Sequence, residues 1–170
     1  LLLLERQDSQ EARRMAADLR RQIADYEDYV HTGNDFLDII LRDKARVAKE
    51  NRIDFSAAVC FAQGGFLDPM DISTIFGNAL DNALEASLAL EPERRLVTVK
   101  ADCVRDMLSI VIENNCLSDR AGYDKTSKGD GFLHGFGIRN IKKTVEKYDG
   151  QCLINQENGF FRMKLLLPLP

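Results

Sequence analysis

Four polar side chains recur along one face of a predicted helix. Asn78, Asp81, Asn82 and Glu85 stand at positions i, i+3, i+4 and i+7, a spacing that places them on one side of a helix. Asparagine is a poor helix former, and a solvated helix surface more usually carries Lys, Glu and Arg. The stripe therefore predicts oxygen atoms directed toward a ligand, such as a hard cation that prefers oxygen donors. The alternative is a surface rich in Asn and Asp that binds nothing.

A glycine-containing sequence, HGFGI at residues 134–138, leads into another predicted helix. Glycines allow close approach of the backbone to a phosphate, and a helix N-terminus supplies N–H groups and a positive dipole end. The polar segment before it, residues 116–133, contains Lys125 and Lys128 and is long enough to form a mobile lid. Taken singly, these features equally fit an ordinary helix start and a polar loop.

A third signal is the end of an apolar predicted strand in the sequence IENN, residues 112–115. An amide at a strand end can donate to and accept from the edge of a purine ring. The same pattern also marks an ordinary transition from strand to turn.

Composition excludes some classes of function. The 170 residues are 45% hydrophobic and 29% charged, as in an ordinary soluble globular protein, and their net charge of −4 argues against a general nucleic-acid binder. The longest apolar runs are too short to span a bilayer, and no signal peptide is visible. None of the four cysteines forms a C-x-x-C pair, so we expect buried thiols in a reducing cytosol rather than metal ligands or disulfides.

The elements that must position these residues follow a clear order along the chain. Helices are predicted at about 35–51, 71–90 and 137–148, and strands at 53–61, 96–104, 107–113, 151–155 and 159–167. Asp71 or Ser73 is expected to cap the second of these helices. The order predicts an α+β two-layer sandwich, with helices on one face of a mixed, largely antiparallel sheet.

Residues 11–30 carry an apolar stripe at spacings of three and four, which predicts an amphipathic helix. We interpret residues 1–31 as the remnant of a helical dimerisation and phosphotransfer hairpin, followed by a domain at 32–170. Periodicity alone equally allows a helix that lies on the domain itself.

In their order and spacing, the three signals resemble the GHKL family of ATP-binding domains, which includes gyrase, Hsp90, histidine kinases and MutL. GNALDNALEAS (77–87) is similar to the family's N box, VIENNC (111–116) stands at its first glycine box, and HGFGIRNIKKTVEKYDG (134–150) resembles its second. DKTSK (124–128) resembles the short motif before that box. Over residues 32–170 the sequence is most similar to sensor histidine kinases of the quorum-sensing, AgrC-like branch, from TGNDFLDIILRDKARVAKENRIDF (32–55) to GFFRMKLLLPLP (159–170).

The resemblance implies ATP and Mg²⁺ as ligands and a kinase reaction. Asn82 would coordinate Mg²⁺ bridging the phosphates, and Asn78 would assist on phosphate or metal. Phosphoryl transfer would proceed by positioning and electrostatics. Glu85, or an acidic residue beside the acceptor histidine, would serve as the base.

The same resemblance assigns the nucleotide contacts. Asn114 would occupy the adenine-binding position, Gly135 and Gly137 would line the phosphate side, Lys128 would belong to the lid, and His134 would position the lid or touch phosphate.

Two residues depart from the family pattern. Asn114 replaces the usual Asp, and Cys116 replaces a glycine of the D-x-G-x-G motif. An Asn oxygen still accepts from the adenine amino group but without ionic strengthening, so weaker nucleotide affinity is predicted.

The acceptor histidine is expected upstream of Leu1, because His31 lacks the acidic neighbour and helical setting of the family's acceptor motif and His134 lies in the predicted glycine turn. The implied partners are a response regulator and a second copy bound through the N-terminal helices. The implied location is the cytoplasmic part of a bacterial membrane protein whose membrane segments lie upstream.

The alternatives to a histidine kinase are an anti-sigma-factor-like serine kinase and a non-catalytic dimerisation and signalling module with a decayed nucleotide site.

Overall fold

A computed structural model describes residues 31–117 and 131–170, without the side chains of 131–134. These residues belong to one compact unit, His31–Pro170. The predicted hairpin at residues 1–30 and the predicted lid around Lys128 lie outside the described residues, as does the side chain of His134.

Five strands form a single mixed sheet. They are β1 (Asp54–Val59), β2 (Leu96–Val104), β3 (Met107–Asn115), β4 (Gln151–Glu157) and β5 (Phe160–Pro168), in the spatial order β1-β2-β3-β5-β4. The β1–β2 pair is parallel and the other pairs are antiparallel. The prediction of a mixed, largely antiparallel sheet is confirmed.

The helices cover one face of this sheet. They are α1 (Asp35–Glu50), α2 (Pro69–Ile72), α3 (Asn78–Leu88) and α4 (Gly131–Lys147), and a π-helical segment at Ser73–Gly77 joins α2 to α3. In β3, alternate residues from Leu108 to Asn114 are buried, which identifies the face that contacts the helices. The two-layer sandwich predicted from the sequence is therefore present.

The α2–α3 helix begins two residues earlier than predicted, and neither Asp71 nor Ser73 is its cap. Asp68 is the N-cap, and its side chain accepts a hydrogen bond from the Met70 N–H at 2.8 Å. Pro69 follows as the first helical residue, where its missing N–H costs nothing and its fixed φ favours the helix. The predicted caps were wrong because the Asp-Pro pair starts the helix first.

The segment before α1 is bound tightly to the domain. Asp38 is buried and accepts hydrogen bonds from the Thr32 N–H at 2.8 Å and the Thr32 hydroxyl at 2.7 Å. The Thr32 carbonyl in turn accepts from the Phe61 N–H at 2.6 Å. Phe61 packs edge-on against Phe76 of the π segment, with ring centroids 5.5 Å apart. The linker is thus connected through one aromatic pair to the helix that carries Asn78.

None of the four cysteines forms a disulfide; Cys116 is buried as expected, whereas Cys103 and Cys152 are half-buried. Cys60 is exposed because β1 ends at Val59 and not at the predicted residue 61, so the expectation of buried thiols was wrong for this residue. Among residues 31–117 and 131–170, no helix combines the length and apolar character needed to cross a membrane.

Candidate functional site

The polar stripe on α3 divides between two neighbouring helices. Asp81 is largely exposed, and its Oδ1 lies 2.6 Å from the Nζ of Lys44 in α1. Asn78 and Asn82 instead lie against Gly137 of α4. On a helix of 3.6 residues per turn, the i+3 position is rotated by about 60° from position i and by about 100° from position i+4. Asp81 is therefore held by an ion pair on the α1 side, and the two asparagines form the part of the stripe that faces α4.

Asn82 carries a buried polar atom that the protein does not satisfy. Its Nδ2 has no hydrogen-bond partner among the residues that the structure describes. A buried donor without a partner costs roughly 1–3 kcal/mol, and native proteins leave few of them. A phosphate oxygen would satisfy this donor, and the oxygen of the same amide would remain for a cation.

Asn78 is positioned by the π-helical segment. Its Nδ2 donates to the Thr74 carbonyl at 2.8 Å, across the widened turn between Ser73 and Gly77. One N–H of this amide is thereby used within the helix. The amide oxygen is the atom that we expect to face a ligand. Short π segments of this kind are frequent at functional sites, and the sequence analysis did not predict this one.

The predicted glycine turn before α4 was wrong. The helix begins at Gly131 and not at Gly137, so Gly135 and Gly137 lie inside it. Its unpaired N–H groups consequently belong to its first turn, which precedes both glycines. A helix tolerates an internal glycine at a cost of about 1 kcal/mol, and at Gly137 the structure shows a reason for one. A Cβ there would lie 3.4 Å from Asn82 Nδ2 and 3.6 Å from Asn78 Cβ.

Gly135 differs from Gly137 in its surroundings. It is exposed, and a Cβ built there would meet nothing within 4 Å among the described residues. Only Gly137 is thus brought to the asparagines, and a phosphate contact at Gly135 stays a prediction.

A polar cluster near the far end of α4 joins that helix to α2. The Asp71 carboxylate lies 2.6 Å from Lys147 Nζ and accepts from the Tyr148 hydroxyl at 2.5 Å. The Tyr148 oxygen also accepts from the Asp68 N–H at 3.1 Å. The hydrogen bonds from Lys147 and Tyr148 lower the pKa of Asp71, outweighing the opposite effect of burial. The ionised cluster ties the end of α4 to the start of α2.

Asn114 is the second buried amide with an unsatisfied atom. It lies in β3, which runs two residues beyond the predicted strand end, and it is 1% exposed. Its Nδ2 donates to the Asn115 carbonyl at 2.9 Å, whereas its Oδ1 has no partner within the described part of the chain. In register it lies between Val97 and Phe161, both apolar. The geometry leaves one acceptor directed to the helix side of the sheet.

Glu85 lies one turn after Asn82 on α3 and is exposed. Nothing in the geometry tests its assignment as a base, so that assignment stays a prediction.

Sequence reasoning missed two residues at this site. Lys44 pairs with Asp81 only because α1 packs beside α3, and no local pattern shows that contact. Gln156 donates from Nε2 to Cys116 Sγ at 3.6 Å, and its buried Oε1 has no partner in the described structure. The alternation of β4 gave a usable signal for Gln156, because it places this amide on the helix side together with Cys152 and Ile154.

Comparison with solved structures identifies the architecture. The catalytic domain of histidine kinase ThkA is similar with a TM-score of 0.59 and 13% identity, over 82% of this chain and 94% of that chain. Acinetobacter baumannii histidine kinase AdeS is similar with a TM-score of 0.55 and 11% identity, over 79% of this chain and 63% of that chain. The histidine kinase domain of Erythrobacter litoralis EL346, a blue-light activated kinase, is similar with a TM-score of 0.53 and 12% identity. The match covers 79% of this chain and 65% of that chain. At these identities the likeness shows a shared fold.

No curated protein sequence matches the chain significantly. The GHKL domain family (HATPase_c_5) matches residues 67–168, which is more than half of the chain and includes the α3 stripe, Asn114 and Gly137. The chain therefore belongs to the GHKL domain family, with the fold of histidine kinase catalytic domains.

Proposed function

We propose that this domain binds Mg²⁺-ATP beside α3 and α4 and is the catalytic domain of a two-component sensor histidine kinase. The observation that carries the proposal is that two buried amide atoms, Asn82 Nδ2 on α3 and Asn114 Oδ1 on β3, have no hydrogen-bond partner among the described residues. One offers a donor for a phosphate and the other an acceptor for a base, as ATP requires. Membership of the GHKL family supports this assignment.

The residues present fit a magnesium ion. Among the described residues no group of three His, Cys, Asp or Glu side chains could hold a metal, but Mg²⁺ in nucleotide sites needs only one or two protein oxygens, because phosphates and waters complete its shell. The amide oxygen of Asn82 would hold the ion, and that of Asn78 would support it or the phosphate. When bound, the ion neutralises charge on the phosphates.

The remaining nucleotide contacts come from the chain itself. Asn114 would accept a hydrogen bond from the exocyclic amino group of adenine. Gly137 keeps α4 close to Asn82 without a side chain between them. On the phosphate side, Gly135, Lys128 and His134 would complete the site.

The reaction would transfer the γ-phosphoryl group to a histidine. The bond from γ-phosphorus to the bridging oxygen breaks as the imidazole nitrogen attacks, ADP leaves, and a base takes the imidazole proton. Glu85 or an acidic residue beside the acceptor would be that base. His31 does not suit the acceptor role, because it lies before α1 and outside any helix. We place the acceptor outside residues 1–170.

The wider assignment follows from the proposed class. The phosphohistidine would pass its phosphoryl group to an aspartate of a response regulator, and a second copy would bind through the N-terminal helices. The domain would lie on the cytoplasmic side of a bacterial membrane protein. The similarity to the quorum-sensing, AgrC-like branch stays a prediction.

Isothermal titration of the 170-residue chain with a non-hydrolysable ATP analogue, with and without Mg²⁺, tests the proposal. We expect Mg²⁺-dependent binding, and incubation with radiolabelled ATP should leave His31 and His134 unlabelled. Label on either histidine would contradict the placement of the acceptor. Absence of binding at millimolar nucleotide would instead favour a signalling module with a decayed site, for which Asn114 and Cys116 are the supporting departures.

A further inference from the structure

Gln156 of β4 carries an unsatisfied acceptor on the helix side of the sheet. Its Oε1 is buried and has no partner within the described part of the chain. Its Nε2 is occupied by Cys116 Sγ at 3.6 Å. The amide is therefore held in one orientation, with its oxygen left for a donor that the described residues do not provide.

This acceptor lies on the same face of the sheet as that of Asn114. Gln156 pairs in register with Phe161, which pairs in turn with Asn114, so the three residues form one row across β4, β5 and β3. Cys116 follows Asn114 by two residues, and its backbone N–H donates to the Gly159 carbonyl at 2.8 Å. The contact with Cys116 shows that the Gln156 side chain reaches across β5 toward the end of β3.

The chemistry of the two orphaned atoms restricts which group can bind to both. Both are carboxamide oxygens, which accept hydrogen bonds and do not donate them. The ring nitrogens of adenine that lie free in a nucleotide are also acceptors, and the only N–H groups of the base are the two on its exocyclic amine. The two amide acceptors on this face of the sheet therefore match that amine. The other orphaned amide oxygen, Asn115 Oδ1, belongs to the next residue of β3, whose side chain alternates to the opposite face.

We propose that Gln156 is a second base-specificity residue, and that Asn114 and Gln156 each accept one N–H of the adenine amino group. This inference rests on the proposed ATP site and extends it to a residue outside its predicted contacts. The side chain of Cys116 supports Gln156 by accepting from its Nε2, which gives the thiol a role where the family usually has glycine. A base with a carbonyl at that position would present an acceptor to two acceptors and be rejected.

A two-by-two titration tests the proposal. ATP and purine riboside triphosphate, which lacks the amino group, are titrated in Mg²⁺ against the wild-type chain and Gln156→Met. We expect Gln156→Met to weaken ATP binding about fivefold, as for one lost hydrogen bond, and to leave the affinity for the purine analogue unchanged. Gln156→Glu, which keeps the acceptor, should retain the preference for ATP.

Each other outcome contradicts the proposal. An equal loss for both nucleotides would show that Gln156 only supports the fold, and unchanged affinity for both would show that it contacts no base. If the wild-type chain binds neither nucleotide, the ATP site itself is wrong. The control is Asn155→Ala, on the same strand but exposed on the opposite face, and it should bind both nucleotides like wild type. Thermal unfolding of each variant verifies that it is folded.

Discussion

Gly137 and Asn82 approach so closely that a methyl group on the glycine would lie 3.4 Å from the asparagine Nδ2. This separation is ordinary van der Waals contact, so Gly137→Ala should fold. Alanine in a helix interior should raise the free energy of unfolding by up to about 1 kcal/mol. The methyl group would nevertheless cover the amide that a phosphate must reach, and we expect at least about tenfold weaker ATP binding. Urea unfolding and calorimetric titration of one preparation measure both effects.

A suitable control is Gly65→Ala. A Cβ at Gly65 meets nothing within 4 Å among the described residues, and the position is exposed. The Gly65→Ala variant should therefore bind ATP with the affinity of the wild-type chain. If Gly137→Ala binds ATP like wild type, the α3–α4 contact is not the phosphate side of the site.

Asn82→Ala tests the metal assignment. Loss of the amide oxygen should remove the Mg²⁺ dependence of binding, so that the affinity of the variant is the same in Mg²⁺ and in EDTA. In Mg²⁺ we expect a loss of about tenfold or more, the scale of one charge-assisted contact. Calorimetric titration in both buffers gives the comparison.

Asp81→Asn provides the matched change on the same helix. It breaks an exposed ion pair with Lys44, which contributes at most about 1 kcal/mol to stability, and it should bind Mg²⁺-ATP normally. A Mg²⁺-dependent affinity that survives in Asn82→Ala would disprove the ligand assignment.

Asn114→Leu should separate binding from stability. The substitution removes a buried oxygen that has no partner in the described structure, together with one hydrogen bond to the Asn115 carbonyl. These effects oppose each other, so we expect the free energy of unfolding to change by no more than about 1 kcal/mol. ATP affinity should fall about tenfold or more. A variant that loses stability but keeps its nucleotide would show that Asn114 is only a core residue.

Thr32→Val should alter the acid dependence of stability through Asp38. Burial acts to raise the pKa of Asp38, but hydrogen bonds from Thr32 and the charges of His31 and Arg42 outweigh it and lower the pKa. A carboxyl whose pKa is lower in the folded state than in the unfolded state stabilises the protein at pH values above the unfolded-state pKa of about 3.9. This contribution is lost as the pH falls through the folded-state pKa. Without the Thr32 hydroxyl the folded pKa should rise.

The measurable result is a smaller difference in stability between neutral and acid solution. At pH 7 we expect Thr32→Val to lose about 1–3 kcal/mol, as for a hydrogen bond to a charged group. Urea unfolding at neutral pH and near pH 3 measures the difference, with Thr98→Val on the open face of the sheet as the control. Parallel losses at both pH values would contradict the linkage.

Much of the fold was predictable from local pattern. The alternation of β3 and the turn at Asn158–Gly159, where both residues have positive φ, fixed the strands to within a few residues. The spacing of Asn78 and Asn82 predicted that they share one face of α3, and both lie beside Gly137 of α4; their contact with a ligand stays a prediction. These features depend on periodicities of two and 3.6 residues, which a single segment displays by itself.

The remaining features depend on contacts between distant segments. The π turn before Asn78 and the helical start at Gly131 were not predicted, because glycine and asparagine are poor helix formers and tertiary packing decided otherwise. The ion pair of Asp81 needs α1, and the cluster of Gln156 with Cys116 joins residues 40 positions apart. Only the folded sheet brings those side chains together.

The parallel pairing of β1 with β2 has a consequence for how the domain assembles. Because β1 and β2 are parallel neighbours, the chain must cross over between Val59 and Leu96, and the helix with Asn78 and Asn82 lies within that crossover. Closing so long a loop costs entropy before the pairing contributes, so this unit should form late in folding. A nucleotide that holds the crossover helix would then slow unfolding more than it speeds folding, and so prolong the lifetime of the folded domain.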